Sequence, residues 1–196
     1  MPQLNDRQPS NPATSEKDSD MHADERRRDL RSPHLLPIRP VTQAAFEPFG
    51  WIVETGQIGR DANNGTARRH DIHAHPAVEV QVGSRHVTSI FEAKRQQPSL
   101  AITMLERHVN SIQLIVPLGG EGHVVIVSQA GEDGLPDLST LAAFSFTPSQ
   151  GMIYRRGLWH HPIMAVGSDA SFLVQSWQNG SAADCEIVTI ESWALS

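Results

Sequence analysis

From Leu35 onward the chain is a succession of short apolar runs rich in β-branched residues. They fall at 51–55, 78–82, 87–91, 100–105, 112–118, 123–128, 143–146, 152–154, 163–166, 172–177 and 187–190. Turn-forming residues separate them: Gly59, Asn63-Asn64-Gly65, Gly83-Ser84, Gly119-Gly120, the stretch 131–136, residues 167–169 and Asn179-Gly180. Many short strands with regular turn signals predict an all-β sandwich or barrel. Two short helices interrupt the pattern. Thr42 can cap a helix over 43–46, stopped before Pro48 and Gly50, and one turn fits 137–141 after Pro136.

Before residue 35 the pattern disappears. Residues 1–34 contain no aromatic residue, Val or Ile, and are rich in Asp, Glu, Arg, Ser and Pro. Such a segment cannot bury enough apolar surface to offset its ordering entropy, so it is expected to be a disordered tail ahead of a domain at 35–196. It lacks the apolar stretch of a secretory signal. Its acids (Asp6, Glu16, Asp18, Asp20, Asp24, Glu25, Asp29) do not suit a transit peptide.

Composition narrows the function. Sixteen Lys+Arg against 22 Asp+Glu give a net charge of −6 in 196 residues, a poor balance for nucleic-acid binding. The single cysteine, Cys185, excludes an internal disulfide and a cysteine-based zinc cluster. No apolar run is long enough to span a bilayer as a helix, and no Gly-rich phosphate loop is present. The expectation is a cytoplasmic protein acting on a small molecule or on another protein.

Ten histidines against one tyrosine direct attention to three segments. In the first, His73 and His75 stand at i, i+2 with Glu79 at the same parity, a spacing that suits a cupin-type metal site. It also reads as a His-rich polar loop, because Pro76 interrupts the strand. In the second, Leu105-Glu106-Arg107-His108, an extended chain puts Glu106 and His108 on one face and Arg107 on the other. A carboxylate beside an imidazole can fix its tautomer and raise its basicity. A solvated strand end is the alternative. In the third, Tyr154-Arg155-Arg156-Gly157-Leu158-Trp159-His160-His161-Pro162, an apolar wall, proton carriers and anion-binding arginines stand together.

Taken in order, these segments resemble the ureidoglycolate lyases of allantoin degradation. The resemblance is carried by Asn64-Gly65 with Arg69, and by Leu105-Glu106-Arg107-His108 with Gln113 and Pro117. It continues through Pro136-Asp137-Leu138-Ser139-Thr140-Leu141 with Ala143-Phe144, Gln150-Gly151, Tyr154 and Trp159-His160-His161-Pro162. It covers about residues 36–190, with Pro40 to Gly50 and Asp184-Cys185 fitting at its ends. Leu-Glu-Arg-His followed by Trp-His-His-Pro at this separation is the specific element. The chain departs from the family pattern at Arg155, where His is common, and at Ser176-Trp177, where Asp-Arg is common. The family has no His-x-His at His73/His75.

The resemblance implies a mainly β, cupin-like barrel or sandwich, a homodimer, and cleavage of (S)-ureidoglycolate to glyoxylate and urea. Breaking that C–N bond requires removal of the hydroxyl proton and charge stabilisation at the departing nitrogen, and no redox cofactor. The residues then take the following roles. Arg69 or Arg107 grips the carboxylate, with Arg69 favoured because Arg107 faces away from Glu106. His108 or His160 takes the proton, with Glu106 orienting an imidazole. Asn64 and Gln113 hydrogen-bond the ureido group. Tyr154 or the other histidine serves the leaving nitrogen, and His161 adds a substrate contact. A divalent metal on the histidines could polarise the hydroxyl instead. Two rivals stand beside this reading: a non-catalytic cupin-type binding module for a small carboxylate, and a metal-dependent cupin oxygenase using His73, His75, Glu79 and His160.

Overall fold

The helix expected after Thr42 forms over α1 (Gln43–Phe46), with the Thr42 hydroxyl accepting from the Ala45 amide at 3.2 Å. Its one turn drives Phe46 completely out of solvent, where the ring meets Phe144 and Phe146 edge-on. The computed structural model describes residues 34–56, 58–73, 82–97 and 99–196. The expected tail as far as residue 33, the run at 78–82 up to its last residue, and His75 and Glu79 lie outside the described residues; His34, expected to end the tail, instead opens the first strand, opposite Trp193.

Two sheets face each other across the main core. The larger has the order β1 (His34–Leu36), β15 (Glu186–Leu195), β7 (Ala101–Arg107), β12 (Trp159–His160), β9 (His123–Ser128), β10 (Ala142–Phe146), β2 (Ile38–Pro40), with β13 (Met164–Ala165) also on β9. The smaller has the order β3 (Gly50–Val53), β11 (Gly151–Tyr154), β8 (Gln113–Pro117), β14 (Ala170–Gln178), β6 (Arg85–Ala93). A separate hairpin pairs β4 (Arg60–Ala62) with β5 (Ala67–Arg69). The second expected helix is a 3₁₀ turn at Leu138–Thr140, capped by the Asp137 carboxylate on the Ser139 amide. This is the nearly closed, barrel-like β architecture that the short apolar runs predict.

Alternation explains how the layers pack. Ile52, Ile115, Met152, Phe172 and Val174 of the smaller sheet meet Val125, Val127, Phe144 and Phe146 of the larger. The intervening residues of β9, Val124 and Ile126, pack on its other face with Leu36, Ile102, Ala143, Met164 and Leu195. β9 is therefore buried on both faces, which is why its sequence His-Val-Val-Ile-Val-Ser lacks the usual polar alternation. His123 opens this strand with its ring 5.1 Å from Phe146 and 5.3 Å from Phe172, and neither ring nitrogen has a hydrogen-bond partner.

Candidate active site

The residues with chemical potential converge where β7, β8, β11, β12 and β14 end together. His160 of β12 pairs directly with Glu106 of β7. Tyr154 of β11 pairs with Gln113 of β8, which pairs with Ser176 of β14. The connection from β11 to β12 is a tight turn in which Gly157 takes φ +72° and donates its amide to the His108 carbonyl at 3.0 Å. That bond holds the end of β7 against the turn that presents His160. Glu106, His108, Gln113, Tyr154, His160, His161, Ser176 and Cys185 all line one cavity of about 510 Å³.

Hydrogen bonds fix how the two central imidazoles present themselves. His108 Nδ1 donates to the Asp184 carbonyl at 2.7 Å, and His160 Nδ1 donates to the Leu158 carbonyl at 2.9 Å. A carbonyl can only accept, so each ring carries a proton on Nδ1, and a neutral ring keeps its lone pair on Nε2. His160 Nε2 lies 3.6 Å from Glu106 Oε1, and His108 Nε2 lies 3.4 Å from the Gln113 amide nitrogen, which donates to it. The ring centroids are 5.3 Å apart, and Tyr154 lies 4.6 Å from His160. Ligand atoms of Glu106, His108 and His160 fall within 4.8 Å of one another. Two imidazole lone pairs and a carboxylate are a set that could hold a divalent cation.

Burial and neighbouring charge set the protonation states. Burial pushes the Glu106 carboxyl up, but its hydrogen bond with His160 and the charges of His160 and His108 outweigh this, holding it below the usual range. Burial and the neighbouring His160 lower His108 despite its bond to Asp184. Burial likewise lowers His161. Burial and the Glu106 charge raise the Tyr154 phenol, so it keeps its proton. Cys185, whose thiol is 3.6 Å from Glu106 Oε2, is pushed up to about 11 by burial and by that carboxylate. At neutral pH the site therefore offers an anionic carboxylate, a neutral His108 and a protonated phenol.

Three residues expected to contact substrate do not line this cavity. Asn64 sits in the β4–β5 turn with φ +55°, beside Asn63 and Gly65, which also have positive φ. The Asn-Asn-Gly run thus meets the conformational demand of a tight turn. Arg69 is exposed and its guanidinium is held by Asp71 at 2.7 Å. Arg107 faces away from Glu106, as its parity requires, donates to Glu186 and to the Gly134 carbonyl at 2.7 Å each, and lies 4.5 Å over Trp159. The arginine grip on a carboxylate is therefore absent from the cavity's described lining, where Lys94 is the only Lys or Arg and is already paired with Asp169 at 2.9 Å. His73 is stacked 3.7 Å from Trp51 rather than in the cavity. Arg155 binds Glu47 and lies over the same Trp51.

Sequence reasoning did not identify Asp184 as part of the site. Its carboxylate accepts from the Asn110 side chain and from the Asn179 and Gly180 amides. That closes the loop from β14 to β15 and aims the Asp184 carbonyl at His108. The pairing of Asp184 with Cys185 in the resemblance was the available signal, but it carried no role.

The ureidoglycolate lyase family matches residues 33–195 of this chain. A ureidoglycolate lyase from Azotobacter vinelandii is 37% identical over 156 residues, which cover 78% of this chain and 90% of that protein. One from Pseudomonas aeruginosa (strain LESB58) is 38% identical over 155 residues, 77% and 88% of the two chains. One from Pseudomonas syringae pv. tomato is 36% identical over 155 residues, 77% and 87%.

Proposed function

The chain belongs to the ureidoglycolate lyase family, and from that premise we propose that the cavity around Glu106, His108 and His160 is where ureidoglycolate is split into glyoxylate and urea. The observation that carries the assignment is the paired use of backbone carbonyls. Both Nδ1 atoms are occupied, so both Nε2 atoms face the reacting position beside one carboxylate.

His108 Nε2 takes the proton of the carbinol hydroxyl. The oxygen's electron pair closes the aldehyde carbonyl as the C–N bond breaks, and the urea nitrogen receives a proton. The Tyr154 phenol, protonated and buried, donates toward that nitrogen. Glu106 orients His160 and compensates positive charge that develops on either imidazole. Gln113 and Ser176 hydrogen-bond the ureido group, and the Gln113 carbonyl oxygen, buried without a partner, is available for a ureido N–H. His161 contacts the substrate from the opposite wall. A positioned acid–base pair supplies roughly 10²–10⁴-fold in rate.

The reaction leaves the oxidation level of glyoxylate unchanged, so its chemistry needs no redox cofactor. A divalent cation would be held by Glu106, His108 and His160, where it would polarise a substrate oxygen. We infer a cytoplasmic protein that forms a homodimer, the dimer in keeping with the family resemblance, with residues 1–33 as a solvated tail. Among the described residues no helix is long and apolar enough to cross a membrane.

The test is incubation with racemic ureidoglycolate under anaerobic conditions, with and without chelator. Equal yields of glyoxylate and urea, lost in His160→Ala and Glu106→Gln, are expected. A requirement for oxygen, or binding without turnover, would overturn the assignment.

A further inference from the structure

The cavity is much larger than the three-carbon acid that the lyase reading puts in it. A volume of about 510 Å³ lies in the range that buries drug-sized ligands. Strand register shows how the space is organised. The polar row Tyr154, Gln113, Ser176 crosses β11, β8 and β14. Two residues along the same strands the row is Met152, Ile115, Val174, Ser89, and two further along it includes Phe172 and Phe91. Each step is about 7 Å. Ile115, Val174, Ser89 and Phe91 line the same cavity as the histidines, joined from the other wall by Ile163. Phe91 points inward from an edge strand yet remains 48% exposed, so the apolar end is open to a ligand. Ser176, in the polar row, lies at the junction between the two ends of the cavity. Lys94, at the far rim, is held by Asp169.

Resting on the lyase reading, we propose that the rows beyond Gln113 and Ser176 form a subsite for an apolar group on the distal ureido nitrogen. The substrate class is then N′-alkyl ureidoglycolates, cleaved to glyoxylate and the matching alkylurea. The bond broken is the same carbinol C–N bond, and the hydroxyl proton ends on the departing nitrogen, so the step balances without a co-reactant. The ureido group at the polar row puts its distal nitrogen over Ile115 and Val174, and an alkyl chain of a few carbons reaches Phe91.

The experiment compares ureidoglycolate with its N′-methyl, N′-propyl and N′-butyl derivatives on the full chain. The expected result is turnover of all four, with KM falling by up to about fourfold per methylene until the chain fills the apolar rows. Ser89→Phe should fill the subsite and cut the butyl-to-parent ratio of kcat/KM by about tenfold or more, and Phe91→Ala should lower the same ratio. The ratio is internal to each protein, so a poorly folding variant does not imitate the effect. Turnover of the parent with rejection of the butyl compound by about a hundredfold or more would overturn the subsite and leave the lyase reading standing. A tenfold rise in KM for the parent in Lys94→Met would direct the carboxylate to the far rim and also overturn it. Failure of every compound, the parent included, would overturn the lyase reading and the subsite with it.

Discussion

His123 should make the protein acid-sensitive in a way that one substitution removes. It is buried between Phe146 and Phe172 with both ring nitrogens unpartnered, and burial pushes its pKa down to about 4. In the unfolded chain the same group titrates near 6.5. The folded state therefore resists a proton that the unfolded state accepts. This cost is absent above pH 6.5, grows as pH falls, and levels off near pH 4 at about 3 kcal/mol. At pH 5 it amounts to about 2 kcal/mol. His123→Leu, which cannot take the proton, should lose less stability than the wild type between pH 7.5 and 5 by that amount. In thermal melts this corresponds to a relative gain of roughly 4–8 °C at the lower pH. His123→Phe, which keeps a ring beside Phe146, provides a second variant with the same expectation. Other groups titrate alike in each protein and cancel in the difference. Urea denaturation at the two pH values gives the same quantity independently. If wild type and both variants lose stability in parallel over this range, His123 takes up its proton in the folded state and the argument from burial is wrong.

Asp184→Ala should release the β14–β15 loop, lower kcat by about tenfold or more, and change the pH profile of kcat/KM as His108 loses its fixed tautomer; Asp184→Asn should recover part of this, and an unchanged profile would reduce Asp184 to a loop brace. Replacing His73 and His75 together by Ala should leave turnover within a few-fold of wild type, while a dead double variant would return the chemistry to that segment. Deleting residues 1–33 should leave Tm and kcat/KM nearly unchanged, and a large fall in Tm would show that the tail docks.

Much of the site was legible because strand parity is a local rule. Glu106 and His108 were expected on one face of a strand with Arg107 on the other, and β7 places Glu106 and Arg107 in that relation. Thr42 announced α1, and the apolar run at 123–128 announced β9 as a strand, although its burial on both faces came only with the structure. What stayed hidden depends on contacts between distant segments. The bond from His108 to the Asp184 carbonyl spans 76 positions and uses a backbone atom, so no residue type advertises it. Asn64 and Arg69 show the converse: amide and guanidinium groups suited to a substrate serve a turn and an ion pair with Asp71 instead. The apolar rows beyond Gln113 look in sequence like ordinary strand interior, and only register shows that they continue the polar row.

The two-residue strand β12 ties the cavity to a lock. His160 meets Glu106 inside the cavity, while the preceding residue, Trp159, lies under Arg107 on the opposite face. One rung thus lines the cavity on its inner side and carries its fastening on the outer side, where Trp159 and Arg107 both donate to the Gly134 carbonyl. A single-residue insertion between Gly157 and Trp159 would turn the indole into the cavity and the imidazole out to the arginine, losing both at once. A two-residue insertion would keep the facing. Length variation at this turn in working relatives should therefore come in even steps, a constraint imposed by the pleat of the strand and not by any catalytic requirement.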